Sequence, residues 1–207
     1  MNAVRCVFAG CAALMLAACS LGRPTPPAKT YVVEPPVPNS ESFEARRPDS
    51  LRIGHVRVAA AYAGNALIYR VDDVRFISDP YNQFIAEPGA MLGNQMASWL
   101  ERSGPFRTVA QPESTRAAHY VLEATVTELY GDFRPGLKPV AVLAVQFALI
   151  DQASVRPRAV LERVLVKRVD LPQAAPDALV RGYGEALGAI LGELSDDLRD
   201  AVARNSP

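Results

Sequence analysis

Val140-Ala141-Val142-Leu143-Ala144-Val145-Gln146-Phe147-Ala148-Leu149-Ile150 is apolar throughout, apart from Gln146. In a strand, Ala141, Leu143, Val145, Phe147 and Leu149 fall on one side, and Val140, Val142, Ala144, Ala148 and Ile150 on the other. A strand apolar on both sides lies inside a sheet and is covered twice. The segment before it, His119–Tyr130, alternates instead. Tyr120, Leu122, Ala124 and Val126 point one way, and Glu123, Thr125 and Thr127 the other, as in a half-buried strand. After it, Ala159–Val169 reads as a third long strand wetted by Arg163, Lys167 and Arg168. The loop Ser154–Arg158 leaves room for a hairpin connection.

Two helices flank these strands. Pro88 stands at a favoured first helical position. Leu92, Met96, Trp99 and Leu100 then repeat at helical spacing until Gly104-Pro105 stops the helix. After Pro176, Val180, Tyr183, Leu187, Ile190, Leu194 and Leu198 form a core stripe along a helix of about 27 residues. Gly184, Gly188 and Gly192 run along the same helix, each costing about 1 kcal/mol in its interior. They suggest that a backbone passes close by. Tight packing on the protein's own sheet is the favoured reading; a self-association face, and so a homo-oligomer, is the alternative. Shorter strands are expected at Thr30–Glu34 (an edge, since prolines end it), Leu51–Ala59, Leu67–Arg70, Val74–Ile77 and Phe106–Ala110, with a turn at Asp72-Asp73. Asn39–Ser50 reads as loop. The order predicts an α+β fold: a mostly antiparallel sheet with two main helices, about 88–103 and 177–203, packed on one face.

The N-terminus has a different composition. Arg5 is the only charge among the first eighteen residues, and Cys6–Ala18 is apolar or small throughout. That run is shorter than the roughly 20 residues of a membrane span and matches a signal-peptide core. It ends in Leu16-Ala17-Ala18-Cys19, which resembles a bacterial lipobox. The resemblance implies cleavage before Cys19 and a covalent diacylglycerol and N-acyl (palmitate) chain on that residue. Ser20, not Asp, follows, which implies the outer membrane rather than the inner. The expected organisation is a signal peptide at 1–18, a lipidated Cys and Pro-rich tether at 19–29, and one periplasmic domain at 30–207. Pro-rich chain extends by about 3.1 Å per residue, so ten residues of tether reach ~30 Å.

All three cysteines, Cys6, Cys11 and Cys19, lie in this leader, so the mature chain has no disulfide and no thiolate metal site. The full chain of 207 residues carries 22 basic and 22 acidic side chains. Without Arg5 the balance is 21 to 22. No basic excess exists to neutralise phosphates, which argues against nucleic acid. The membrane is reached through the acyl chains at Cys19.

Catalytic patterns are missing. His55 and His119 sit in no metal or nucleophile motif, and no P-loop, dinucleotide fingerprint or serine elbow occurs. Asp72-Asp73 and Asp196-Asp197 are sequence neighbours and so do not converge across a cleft. No catalytic residue, metal or further cofactor is expected. One segment stands out. Leu67–Leu92 holds Tyr69, Phe76, Tyr81 and Phe84 beside Arg70, Arg75, Asp79 and Asn82, in a chain only 7% aromatic. Tyr with Arg is typical of binding surfaces. Tyr69, Arg70, Asp79, Tyr81 and Phe84 are the expected partner-facing residues.

LRIGHVRVAA (51–60), IYRVDDVRF and DPYNQF within 68–84, the Pro88 helix to Trp99-Leu100 and the closing helix together resemble the ABC-type transport auxiliary lipoproteins. That family includes the lipoprotein subunit of the paraquat-inducible MCE-type intermembrane transport system. The resemblance implies a non-enzymatic accessory subunit of a phospholipid transporter, with an MCE-domain protein and ABC transporter subunits as partners. The alternative is a stand-alone periplasmic lipid carrier, for which the doubly apolar Val140–Ile150 is the only hint. An envelope hydrolase is disfavoured by the missing motifs.

Overall fold

The computed structural model describes residues 27–36, 47–153 and 156–205. The leader, Cys19 and most of the tether lie outside the described residues. The strands are β1 Lys29–Tyr31, β2 Arg47–Ile53, β3 Arg57–Val58, β4 Ala66–Arg70, β5 Phe76–Phe84, β6 Phe106–Ala110, β7 Tyr120–Asp132, β8 Val140–Asp151 and β9 Arg158–Asp170. Among the described residues the helices are α1 Pro88–Ser103 and α2 Pro176–Asn205, with a 3-10 turn at Ala60–Tyr62.

β7 organises the sheet. Along one side it pairs antiparallel with β8, which pairs antiparallel with β9. Along the other side three short strands meet it in succession, all parallel: β2 opposite Tyr120–Leu122, β3 opposite Thr125–Val126 and β4 opposite Gly131–Asp132. The sheet forks there. β6 joins β2, while β5 and then β1 extend β4. The fold class is α+β as expected, but the sheet is mixed. Strands consecutive in sequence form the antiparallel ladders, because a tight turn permits only that geometry. The parallel pairs join strands separated by crossovers, such as β2 and β6 with α1 between them.

Both helices lie on one face, α1 against β2, β3 and β6, and α2 against β8 and β9. Leu92, Met96, Trp99 and Leu100 of α1 are buried, as are Val180, Tyr183, Leu187, Ile190, Leu194 and Leu198 of α2. Ala141, Leu143, Val145, Phe147 and Leu149 of β8 face them, fully enclosed. Cover on the second face of β8 is local. Val142 and Ala144 are buried there, beside Tyr130. Gln146 is exposed, and Ala148 and Ile150 are half-buried.

Several expected boundaries shift for identifiable reasons. Leu51–Ala59 is two strands. Gly54 donates to the Leu122 carbonyl at 2.8 Å, and the ladder resumes with Ala59 donating to Val126 at 2.9 Å. Between them Val56 turns inward beneath α1, where a Cβ on Gly89 would lie 2.4 Å from the Val56 carbonyl oxygen. Only glycine permits that approach. The expected strand Val74–Ile77 is β5, and it runs on to Phe84. Its register against β4 jumps from Asp79 opposite Leu67 to Gln83 opposite Ala66. The bulge absorbs Pro80, Tyr81 and Asn82, and a bulge is where a strand tolerates proline. β2 begins at Arg47, inside the expected loop 39–50.

The first strand also starts earlier than expected, at Lys29, and pairs parallel with β5. Residues 32–36 then form a strap. Val33 is fully buried, and the Trp99 indole N–H donates to the Pro36 carbonyl at 2.9 Å. The strap crosses α2 at its glycines. A Cβ on Gly184 would lie 2.5 Å from the Glu34 carbonyl oxygen, and one on Gly188 would lie 2.9 Å from Pro36. The backbone that needs these glycines therefore belongs to the strap, not the sheet. Gly192 has open space around it.

Candidate partner-facing site

The β4–β5 hairpin is organised around Asp79. One carboxylate oxygen accepts from the backbone N–H groups of Tyr81, at 2.9 Å, and Asn82, at 3.2 Å. The other accepts from the Tyr69 hydroxyl and the Asn82 side-chain amide, each at 2.8 Å. Asn82 in turn accepts from the Tyr31 hydroxyl at 2.9 Å. A chain of polar contacts thus joins β1, the bulge and β4. Partial burial pushes the Asp79 carboxyl up, but the bonds from Asn82, Tyr81 and Tyr69 outweigh it and hold the group below the usual carboxylate range. Burial first, then the bond to Asp79, raises the Tyr69 phenol well above its ordinary value. Tyr31 is pushed up to about 12 by burial and by Asp177.

A second network fixes the hairpin tip. Asp72 accepts from the backbone N–H of Val74 at 2.9 Å and of Arg75 at 2.7 Å, and its carboxylate pairs with the Arg75 guanidinium. Arg75, followed by those backbone bonds, holds the Asp72 carboxyl down at about 2. Arg70 donates to the carbonyls of Asp72 at 3.1 Å and Asp73 at 2.9 Å, and lies over the Phe76 ring. From β7 and the residues after it, Arg134 bridges Asp132 at 2.9 Å and Asp73 at 2.8 Å. Phe76 meets Tyr130 edge-on, and Tyr130 stacks with Tyr62. The expected turn at Asp72-Asp73 is present, clamped by Arg70, Arg75 and Arg134.

The five expected residues are brought together but divided by depth. Tyr69 is buried, stacked on Phe133 with ring centres 4.9 Å apart, and Phe84 is buried near Tyr183. A partner cannot touch either ring in this conformation. Their position on the inward side of the pleat decides this, and an aromatic count does not reveal it. Arg70 and Asp79 are half-buried and engaged, and Tyr81 is exposed. Among the described residues, five of the nine exposed large apolar side chains fall between 74 and 85: Val74, Phe76, Ile77, Tyr81 and Ile85. Val32 lies beside Ile85, since the Ile85 N–H donates to the Tyr31 carbonyl at 2.9 Å. These exposed side chains are spread over the hairpin: Phe76 and Ile77 point to opposite faces of β5, Ile77 on the side of Tyr69 and Phe76 on that of Arg70, while Tyr81 projects from the bulge that Tyr69 and Asp79 support.

Asp132 and Arg134 were missing from the sequence reading, since they lie some sixty residues away and lack a motif. His119 lies at the start of β7, immediately before Tyr120. It sits between Asp49, at 3.1 Å, and Asp151, at 3.6 Å, and stacks on Tyr120. His55 is exposed. Asp197 pairs with Arg163, and Asp196 with Arg199, on the surface of α2. Among the described residues no group of three or more ligating side chains could hold a metal ion, and no helix is long and apolar enough to cross a membrane.

The fold is shared with solved proteins. The crystal structure of protein XCC0632 from Xanthomonas campestris superposes with a TM-score of 0.72 at 15% identity, covering 86% of this chain and 98% of that one. A second crystal structure, of an uncharacterized protein, superposes with a TM-score of 0.63 at 18% identity, covering 83% and 99%. At such identities the likeness concerns the fold alone. No curated protein matches the chain. The family model described as the ABC-type transport auxiliary lipoprotein component matches residues 31–195, from β1 through most of α2. The chain belongs to the ABC-type transport auxiliary lipoprotein family.

Proposed function

We propose that the protein is a non-enzymatic periplasmic subunit of an MCE-type intermembrane phospholipid transport system, anchored to the outer membrane through acyl chains on Cys19. Membership of a transport auxiliary family supports the accessory role. The observation that carries the docking role is the pre-ordered apolar hairpin surface. Tyr81 sits on a bulge whose backbone is fixed by Asp79, in the same hairpin as exposed Phe76, Ile77 and Ile85. A surface already rigid in the free protein loses little conformational entropy on binding. Exposed aromatic and aliphatic anchors beside polar groups suit a protein partner. In this reading an MCE-domain protein is captured there, and the ABC subunits join through it.

The test is affinity purification of the full-length protein from detergent-solubilised envelopes, with mass spectrometry of what accompanies it. An MCE-domain protein with its ABC subunits is the expected result. Recovery of the protein alone with bound phospholipid would replace this reading with that of an independent lipid carrier.

A further inference from the structure

We propose that the outer edge of β9 is a self-association site, through which two copies of the chain pair antiparallel about a two-fold axis at Leu165. β9 is 13 residues long and, among the described residues, pairs only with β8, so the outer edge of its central stretch, 161–169, presents backbone groups to which no described strand pairs. Val164 and Val166 are 63% and 49% exposed on the face away from the helices. Exposed backbone and exposed valines together make an open template for another strand.

The order of side chains selects a second copy as the occupant. On the face away from the helices the row reads Glu162, Val164, Val166, Arg168. Turned about Leu165, this row is its own complement. Val164 falls opposite Val166 of the second copy, and Glu162 opposite its Arg168. Among the described residues neither Glu162 nor Arg168 forms an ion pair within the chain. On the helix face, Leu161 falls opposite Val169 and Leu165 opposite Leu165. The one like-charged pair is Arg163 opposite Lys167. Both charges are already taken by α2: Arg163 by Asp197 at 2.8 Å and Lys167 by Glu193 at 2.6 Å. Directly opposed pairs decide sheet pairing.

Neighbouring registers fail. A two-fold at Val164 sets Glu162 against Val166 and Arg163 against Leu165. A two-fold at Val166 sets Val164 against Arg168 and Glu162 against Asp170. A slip by one residue would put the two helix layers on opposite sides of the joined sheet. The Leu165 register produces a continuous β8-β9-β9-β8 sheet with closed two-fold symmetry.

The test uses disulfide trapping of the full chain in intact envelopes. Val164→Cys and Val166→Cys, co-expressed as separate chains, should give an oxidised dimer. Neither variant alone should do so, because like positions are offset in this register. Charge reversal is independent of trapping. Glu162→Arg alone and Arg168→Glu alone should each weaken self-association roughly tenfold or more, since both symmetric contacts turn repulsive. Co-expression of the two should restore a mixed dimer. Both positions are exposed, so unchanged thermal unfolding of the variants serves as the folding control. A monomer under all conditions, or an assembly indifferent to the reversals and untrapped by the cysteine pair, would overturn the proposal.

Discussion

The Tyr69 hydroxyl donates to the Asp79 carboxylate at 2.8 Å, linking a buried ring on β4 to the bulge that presents Tyr81. The two tyrosines of the hairpin therefore have opposite roles. Tyr69→Ala opens a core cavity beneath the hairpin and should cost about 3 kcal/mol or more in stability. Tyr81→Ala should leave stability within about 0.5 kcal/mol and weaken partner capture instead. Denaturant unfolding and quantitative co-purification of both variants separate the two effects.

Acid should loosen the hairpin. The Asp79 carboxyl is held below its ordinary value, so folding favours its ionised form. Asp132, lowered chiefly by Arg134, and Asp72, lowered to about 2 by Arg75, behave alike. Their stabilisation is fully present above the unfolded value of about 4 and is lost as pH falls through the folded values. Thermal unfolding followed from about pH 5 down to about pH 2 should show a falling midpoint. Asp79→Asn should flatten part of that fall; an unchanged slope would remove Asp79 from the explanation.

The α2 glycines should respond in opposite directions. Gly184→Ala forces a methyl group against the Glu34 carbonyl and should cost about 1–3 kcal/mol, with faster hydrogen exchange in residues 29–36. Gly192→Ala meets open space and should gain up to about 1 kcal/mol through helix propensity. Equal effects at both positions would argue against the strap as the reason for these glycines.

The sheet's long strands were legible because their patterns are local: β7 alternates, β8 is apolar on both faces, and β9 is apolar-rich but wetted by Arg163, Lys167 and Arg168. Both helices were legible for the same reason, through Leu92–Leu100 and Val180–Leu198. Parallel docking of β2, β3 and β4 along β7 was not. It depends on contacts between residues far apart in sequence, such as Leu51 with Tyr120 and Tyr69 with Gly131, and period-two alternation is the same for either strand direction. Nor did composition divide the aromatic segment by depth. Tyr69 and Phe84 differ from Tyr81 only in which side of the pleat and bulge they occupy. The glycine spacing signalled a close backbone, and only the fold identified it as Glu34–Pro36.

Anchoring is tested at Cys19. Labelling cells with a palmitate analogue should tag the protein, and Cys19→Ala should abolish the label and leave the precursor uncleaved. Labelling that survives the substitution would place the acyl chain elsewhere.

Docking is tested most directly by a photo-crosslinking residue at position 81, with a second at position 164 on the far edge of the sheet, in cells at natural expression. The expected result is a crosslink from position 81 to an MCE-domain protein that is absent from position 164. Crosslinks from position 81 only to phospholipid, or to no protein at all, would contradict the hairpin as a docking surface and the accessory role built on it.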